Sequence, residues 1–268
     1  MKEVFDVYLM RFVGVSLLLG VLFLLPFTAA LVPSGASVTP GTSETAQADI
    51  AGNASALAGN VTELILSGYT TTQAWQGYYG NITGVIQLAD ASDNVLYNWT
   101  QTDPRGEVYA STNQTIYWDN IQCFNFTSVG DYTDENGNGG TTSLYGTNLT
   151  QLEDEYGLNY SDADSVNITF SLIGAGTHNL FTTASKQFDE GECQNTRVYD
   201  STGAGVDDAF EEVLLYEPSS RSTIFTSLLN IDHPGFDSRT HDFEMLVLEN
   251  GHGTDVSTTT YYFFVEIQ

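Results

Sequence analysis

Thr260-Tyr261-Tyr262-Phe263-Phe264-Val265-Glu266-Ile267 decides the fold class. In an extended chain, successive side chains point to opposite sides. Tyr261, Phe263, Val265 and Ile267 then share one side, and Tyr262, Phe264 and Glu266 the other. Large apolar residues on both sides predict a strand with little contact with solvent. The same signal, short runs rich in Val, Ile, Thr, Tyr and Phe between Gly, Asn and Asp, recurs along the chain. It predicts strands over Val61–Ser67, Ile82–Leu88, Val95–Trp99, Glu107–Ser111, Val166–Leu172, Glu211–Tyr216, Thr223–Leu229 and Phe243–Leu248. One short helix is predicted over Asn148–Tyr156, capped by Thr147. Gly77, Gly80 and Gly84 with Tyr78 and Tyr79 between them predict a tight turn under an aromatic lid. The fold class is therefore all-β, a β-sandwich formed as one large or two fused sub-sandwiches. A sub-boundary is expected in the Gly- and Asn-rich stretch 131–145.

The chain before the strands is different in kind. Phe12–Val32 carries no charge, and roughly 20 apolar residues suffice to cross a bilayer. Two readings stay open for residues 1–32: a cleaved signal peptide, with small residues at Thr28-Ala29-Ala30 or Ser34-Gly35-Ala36, or a retained hydrophobic helix. Arg11 abuts the apolar run and no basic residue follows until Arg105, so either reading sends the rest outward. Residues 33–58 are rich in Pro, Gly, Ser, Thr and Ala and form an extended linker or donor segment. Residues 59–268 form the exterior β domain.

Charge excludes whole classes of partner. The chain has 34 Asp plus Glu against 7 Lys plus Arg, for a formal net charge of -27. Nucleic acid and anionic membrane surfaces are repelled by such a chain. Lys2 and Lys186 are the only lysines. Few lysines and many carboxylates fit a protein kept folded in strong salt, where the Debye length falls to about 3 Å. An acidic surface that takes divalent cations is the alternative.

The triplet Asn-x-Ser/Thr occurs nine times, at Asn53, Asn60, Asn81, Asn98, Asn113, Asn125, Asn148, Asn159 and Asn167. This excess predicts an exported, N-glycosylated surface. If Asn81 carries a glycan, Ile82 turns inward. Cys123 and Cys193 both lie in the exported part, where an oxidising environment favours pairing.

Candidate sites are few. Asp134, Asn136 and Asn138, followed by Gly139, resemble the first half of an oxygen-ligand calcium loop, although Tyr145 stands where a bidentate Glu is expected. His233, His241 and His252 lie near Asp232, Asp237 and Asp242, without the spacing of a helical zinc motif. Trp75 and Trp99 are candidates for stacking on sugar rings. The chain has no Gly-x-Ser-x-Gly elbow, Walker loop or His-Glu-x-x-His motif, and no catalytic residues are assigned. Carboxylate pairs such as Asp207-Asp208 and Glu211-Glu212 are expected by chance among so many acids.

Two stretches carry a resemblance. The first runs from Trp75-Gln76-Gly77-Tyr78-Tyr79-Gly80-Asn81-Ile82-Thr83-Gly84 to Ile121-Gln122-Cys123. The second includes Phe243-Glu244-Met245-Leu246-Val247-Leu248-Glu249-Asn250-Gly251 and Tyr261-Tyr262-Phe263-Phe264-Val265-Glu266. Together they resemble uncharacterised archaeal, halophile-like cell-surface proteins. The resemblance implies an envelope or extracellular location and carries over no catalytic residue. The expected function is a structural subunit of a surface filament or envelope layer, associating with itself or with other surface proteins. Strand addition by Ala46–Leu66, with Val61, Leu64 and Leu66 as anchors, is the expected mode of assembly. A membrane-tethered adhesin or sugar-binding module is the alternative. An enzyme acting on envelope polysaccharide ranks third.

Overall fold

The computed structural model describes residues 32–124, 131–133, 139–141, 149–199, 205–250 and 258–268, with backbone alone for 131–133, 139–141 and 205–208. The strands are β1 (Ser34–Gly35), β2 (Trp75–Gly80), β3 (Gly84–Ala89), β4 (Val95–Gln101), β5 (Gly106–Ser111), β6 (Gln122–Cys123), β7 (Asp131–Thr133) and β8 (Gly139–Thr141). Two short helices follow, α1 (Leu149–Glu155) and α2 (Val166–Thr169). Then come β9 (Phe181–Thr183), β10 (Lys186–Phe188), β11 (Asn195–Tyr199), β12 (Gly205–Glu217), β13 (Ser222–Leu228), β14 (His233–Pro234), β15 (Thr240–His241), β16 (Phe243–Leu248) and β17 (Tyr262–Ile267). The fold is all-β and its ladders are antiparallel.

The main sheet has seven strands in the order β1-β17-β5-β13-β12-β11, with β6 also paired to β12. Its runs of consecutive apolar residues follow from burial on both faces. On one face, Val108, Ala110, Leu214, Tyr216 and Phe225 join Leu149 and Leu152 of α1, Val166 of α2, Phe170, and Met245 and Val247 of β16. On the other, Tyr109, Val213, Leu215, Ile224 and Phe264 meet Ile116, Trp118, Ile121, Phe181, Phe188 and Cys193. The β2–β16 ladder lies against β12 and β13. It is tied to them where Ser227 Oγ donates to Glu244 O at 2.9 Å and Leu246 N donates to Glu212 Oε2 at 2.8 Å.

β12 has a seam along one edge. Residues 205–213 pair with β11, whereas Leu215 and Tyr216 pair with β6. Leu214 bridges the two: its N donates to Gln194 O and its O accepts from Phe124 N, both at 3.0 Å. The Cys123–Cys193 disulfide closes this seam, with Cα atoms 5.1 Å apart.

Several expectations are corrected. Val166–Leu172 is not a strand. Its β-branched residues enter helix α2 because Ser165 caps it, accepting from Ile168 N at 3.3 Å. Ser165→Ala is expected to lower stability by about 1 kcal/mol, measurable as a shift of the urea midpoint with unchanged slope. Trp75–Gly80 is a strand rather than a turn, because β16 offers a full ladder from Leu248↔Trp75 to Phe243↔Gly80. The following strand starts at Gly84 rather than Ile82. Val61–Ser67 finds no partner strand and stays irregular and exposed. The helix expected over Asn148–Tyr156 is present as Leu149–Glu155, while Thr147 lies outside the described residues. All the side chains in stretch 131–145 also lie outside them, as do residues 12–31. Among the described residues no helix is long and apolar enough to cross a membrane.

Candidate functional site

The most unusual surface belongs to two elements that the core leaves uncovered. The first is an arm, residues 37–73, every one of which is exposed and none of which is in a strand. It is tethered at both ends. Ala36 N donates to Phe263 O at 2.9 Å beside β1, and Thr72 Oγ1 donates to Asp164 Oδ2 at 2.6 Å ahead of buried Ala74. Between the tethers it exposes Ile50, Leu57, Val61, Leu64, Ile65 and Leu66, with Val61 at 102% and Ile65 at 93%. Irregular segments beyond about 12–15 residues are uncommon inside compact domains and are usually functional or linking.

The second element is the β3–β4 hairpin. Its turn is built by Asp90, whose Oδ1 accepts from Ser92 N and Asn94 N, both at 2.9 Å. Val85, Ile86, Leu88, Val95, Leu96, Tyr97 and Trp99 are all exposed. The Tyr97 and Trp99 rings lie 4.8 Å apart between centroids. Of the two sugar-stacking candidates, Trp99 is open to solvent, whereas Trp75 is engaged elsewhere. Its ring packs on Phe170 and Phe225, and its Nε1 donates to Asp164 O at 2.7 Å. The structure does not bring the two indoles together.

A third cluster is buried. Glu107 and Glu266 are direct cross-strand neighbours on β5 and β17. Tyr109 Oη is 3.3 Å from Glu107 Oε2, 3.2 Å from Glu266 Oε2 and 3.1 Å from Thr183 Oγ1. Ala184 N donates to Glu266 Oε2 at 2.9 Å. Gly106 makes the close approach of these strands feasible: its φ is +128° and a Cβ there would collide with the Glu266 carbonyl. Burial, then the neighbouring Glu266 charge, pushes the Glu107 carboxyl up to about 8. Burial also raises Glu266, and raises fully buried Glu212 well above the usual carboxylate range. Glu107 lines a cleft of about 470 Å³ with Arg105, Asn179, Phe181, Asn230 and Gln268. Chemically, Glu107 holds a proton that the unfolded chain would release at neutral pH. Sequence reasoning missed it, although Glu266 alternates in register with Phe264, an apolar neighbour on the same side.

The His-rich segment is a hairpin. His233 pairs with His241, Gly235 N donates to Arg239 O at 2.8 Å, and His241 Nε2 lies 2.9 Å from Asp237 Oδ1. Burial works to raise Asp237, but hydrogen bonds from Arg239 and His241 prevail and hold it at about 2. Among the described residues no group of three or more His, Cys, Asp or Glu could hold a metal ion. His252 and the calcium-loop candidates Asp134, Asn136 and Asn138 lie outside the described residues.

Of the sequon asparagines, Asn53, Asn60, Asn81, Asn98 and Asn159 face solvent, and Ile82 packs inward. Asn113 and Asn167 are half-buried. The Asn113 amide is engaged at both ends: Nδ2 donates to Ser222 Oγ and Oδ1 accepts from Thr115 N, both at 2.9 Å. Asn125 and Asn148 lie outside the described residues.

No protein-family model, curated protein or solved structure matches the chain.

Proposed function

We propose that the chain is a structural subunit of an archaeal cell-surface assembly, a filament or an envelope layer. In this reading it is exported by residues 1–32, whether these are cleaved or retained, and is N-glycosylated and adapted to salt. The fold is read as a β-sandwich in which the β2–β16 ladder is the small layer stacked on the main sheet. The observation that carries the proposal is the arm 37–73, which exposes a series of large apolar side chains and pairs with no strand. An isolated subunit gains nothing from ordering such a segment; a subunit that donates it to a neighbour does. The resemblance of residues 75–84 and 243–266 to archaeal surface proteins supports the same reading.

Cryo-electron microscopy of the native surface fraction, in its native salt, tests it. Regular filaments or sheets built from this chain are expected, and scattered single particles or membrane-tethered knobs overturn the reading. Deleting residues 59–68, which removes the exposed Val61, Leu64, Ile65 and Leu66 and leaves β1 in the main sheet, is expected to abolish assembly. Glycan occupancy should follow geometry, because N-linkage uses the asparagine amide nitrogen. Intact-glycopeptide mass spectrometry is expected to find Asn98 occupied and Asn113 bare.

The second reading, a membrane-tethered adhesin or sugar-binding module, is favoured by one observation, the exposed Tyr97–Trp99 ring pair. Saturable glycan binding lost on Trp99→Ala by a monomeric protein would establish it.

A further inference from the structure

The β3–β4 hairpin is incomplete in the same sense as the arm. Among the described residues its strands pair only with each other, so neither outer edge carries a ladder. A lone two-stranded hairpin is marginal in water and needs a third strand or a packed face.

Register decides what each side of the hairpin offers. Ile86 lies opposite Trp99 and Leu88 opposite Tyr97. By alternation these four residues share one side. The reverse side has Gln87 opposite Asn98 and Val85 opposite Thr100. Asn98 is a sequon residue, so a glycan attached there leaves from the reverse side and keeps the Ile86–Trp99 side bare.

The arm supplies what the hairpin lacks. In an extended chain Leu64 and Leu66 point to one side, and both are exposed here. Charge narrows the choice of occupant. Each chain carries a net charge of -27, so two copies must meet at charge-poor surface. From residue 50 to residue 73 the only charged residue is Glu63. On the hairpin the only charged residues are Asp90 and Asp93, both at its turn.

We propose that the β3–β4 hairpin of one copy is the acceptor for residues 61–67 of a second copy. The donated segment adds as a third strand along an open hairpin edge and lays Leu64 and Leu66 beside the Ile86, Leu88, Tyr97 and Trp99 side. Main-chain hydrogen bonds supply the affinity and the alternating side chains fix the register. This inference rests on the assembly reading and names its contact.

The test uses the full chain in its native salt. Two charge-insertion variants, Leu64→Asp/Leu66→Asp and Ile86→Asp/Trp99→Asp, are compared with the natural chain by sedimentation of polymer. Each is expected to raise the free-subunit concentration in equilibrium with polymer by roughly tenfold or more. The Cys123–Cys193 bond and the thermal midpoint should be unchanged, because all four positions are exposed. As a second measurement that needs no disruptive charge, chains carrying Leu64→Cys are mixed with chains carrying Ile86→Cys, Leu88→Cys, Tyr97→Cys or Trp99→Cys. An interchain disulfide with at least one of these is expected in the polymer.

If the arm variant disrupts assembly, the hairpin variant does not and no interchain disulfide forms, this inference is overturned and the assembly reading stands. The exposed aromatic pair then belongs to a ligand other than a second copy. If the natural chain itself does not assemble, both fall together.

Discussion

Breaking the Cys123–Cys193 bond is expected to cost about 4 kcal/mol of stability. The bridged residues are 70 apart in sequence, and closing a loop of that size removes this much chain entropy from the unfolded state by the loop-closure model. The native side of the equilibrium points the same way. Cys193 is fully buried in the core on the Trp118 side of the sheet, and the bond closes the seam where β6 and β11 abut along β12. The Cys123→Ser/Cys193→Ser variant should therefore melt about 8–16 °C lower by calorimetry in native salt, at about 2–4 °C per kcal/mol for a domain of this size. A loss under about 1 kcal/mol would mean that the seam holds without its covalent bond.

The second large effect is one of pH. Carboxyls usually stabilise folds by being ionised, and acid removes that contribution. Here the main carboxyls have the opposite sign. Glu107 rises from an ordinary value of 4.5 to about 8, by burial and then by the charge of Glu266. Glu212, Glu266 and Glu153 are raised as well, each first by burial. Between pH 4.5 and pH 8 the folded chain therefore holds protons that the unfolded chain has lost. Stability is greatest below 4.5 on this account and falls as pH rises toward 8. For Glu107 alone the change across that window is on the order of 5 kcal/mol. Asp237, held at about 2, acts only in stronger acid; burial pushes the His178 imidazole down, which opposes the trend below its ordinary value of 6.5, so the fall is steepest above that value. Relief of surface repulsion on acidification has the same sign, but molar salt screens it. In molar salt the melting temperature should fall from pH 5 to pH 8, and Glu107→Gln should flatten that slope. A melting temperature that is flat or rising in the natural chain refutes the assignment.

The sequence makes legible the strands whose apolar residues fall on both sides, and also the exposed β3 and β4, expected over Ile82–Leu88 and Val95–Trp99 and found within two residues of those limits. The strand expected over Phe243–Leu248 has its observed limits, and those expected over Glu107–Ser111, Thr223–Leu229 and Thr260–Ile267 agree within two residues. Both core faces demand apolar residues there, so the pattern has no competing interpretation. β2 was lost because its glycines mimic a turn, and only the distant β16, paired through Leu248↔Trp75, makes it a strand. α2 was lost because Val166, Ile168 and Thr169 favour strands locally, and the Ser165 cap outweighs that preference. Val61–Ser67 has a strand's composition without a strand's partner, which no local pattern can supply. The disulfide was legible from two cysteines and an expected compartment. The Glu107–Tyr109–Glu266 cluster is hidden because its two carboxyls are among 34 acidic residues in the chain. An inward-facing glutamate beside Tyr109 and Phe264 was its only trace.

The seam on β12 also decides how the sheet fails under load. Among the described residues no ladder joins β6 to β11, so tension drawing these short strands apart is opposed there only through their shared neighbour. The sulfur–sulfur bond converts that weak line into a covalent rivet. Oxidised, the edge of β12 tears as one piece or not at all. Reduced, it peels in two halves, with Leu214 as the hinge of the fracture.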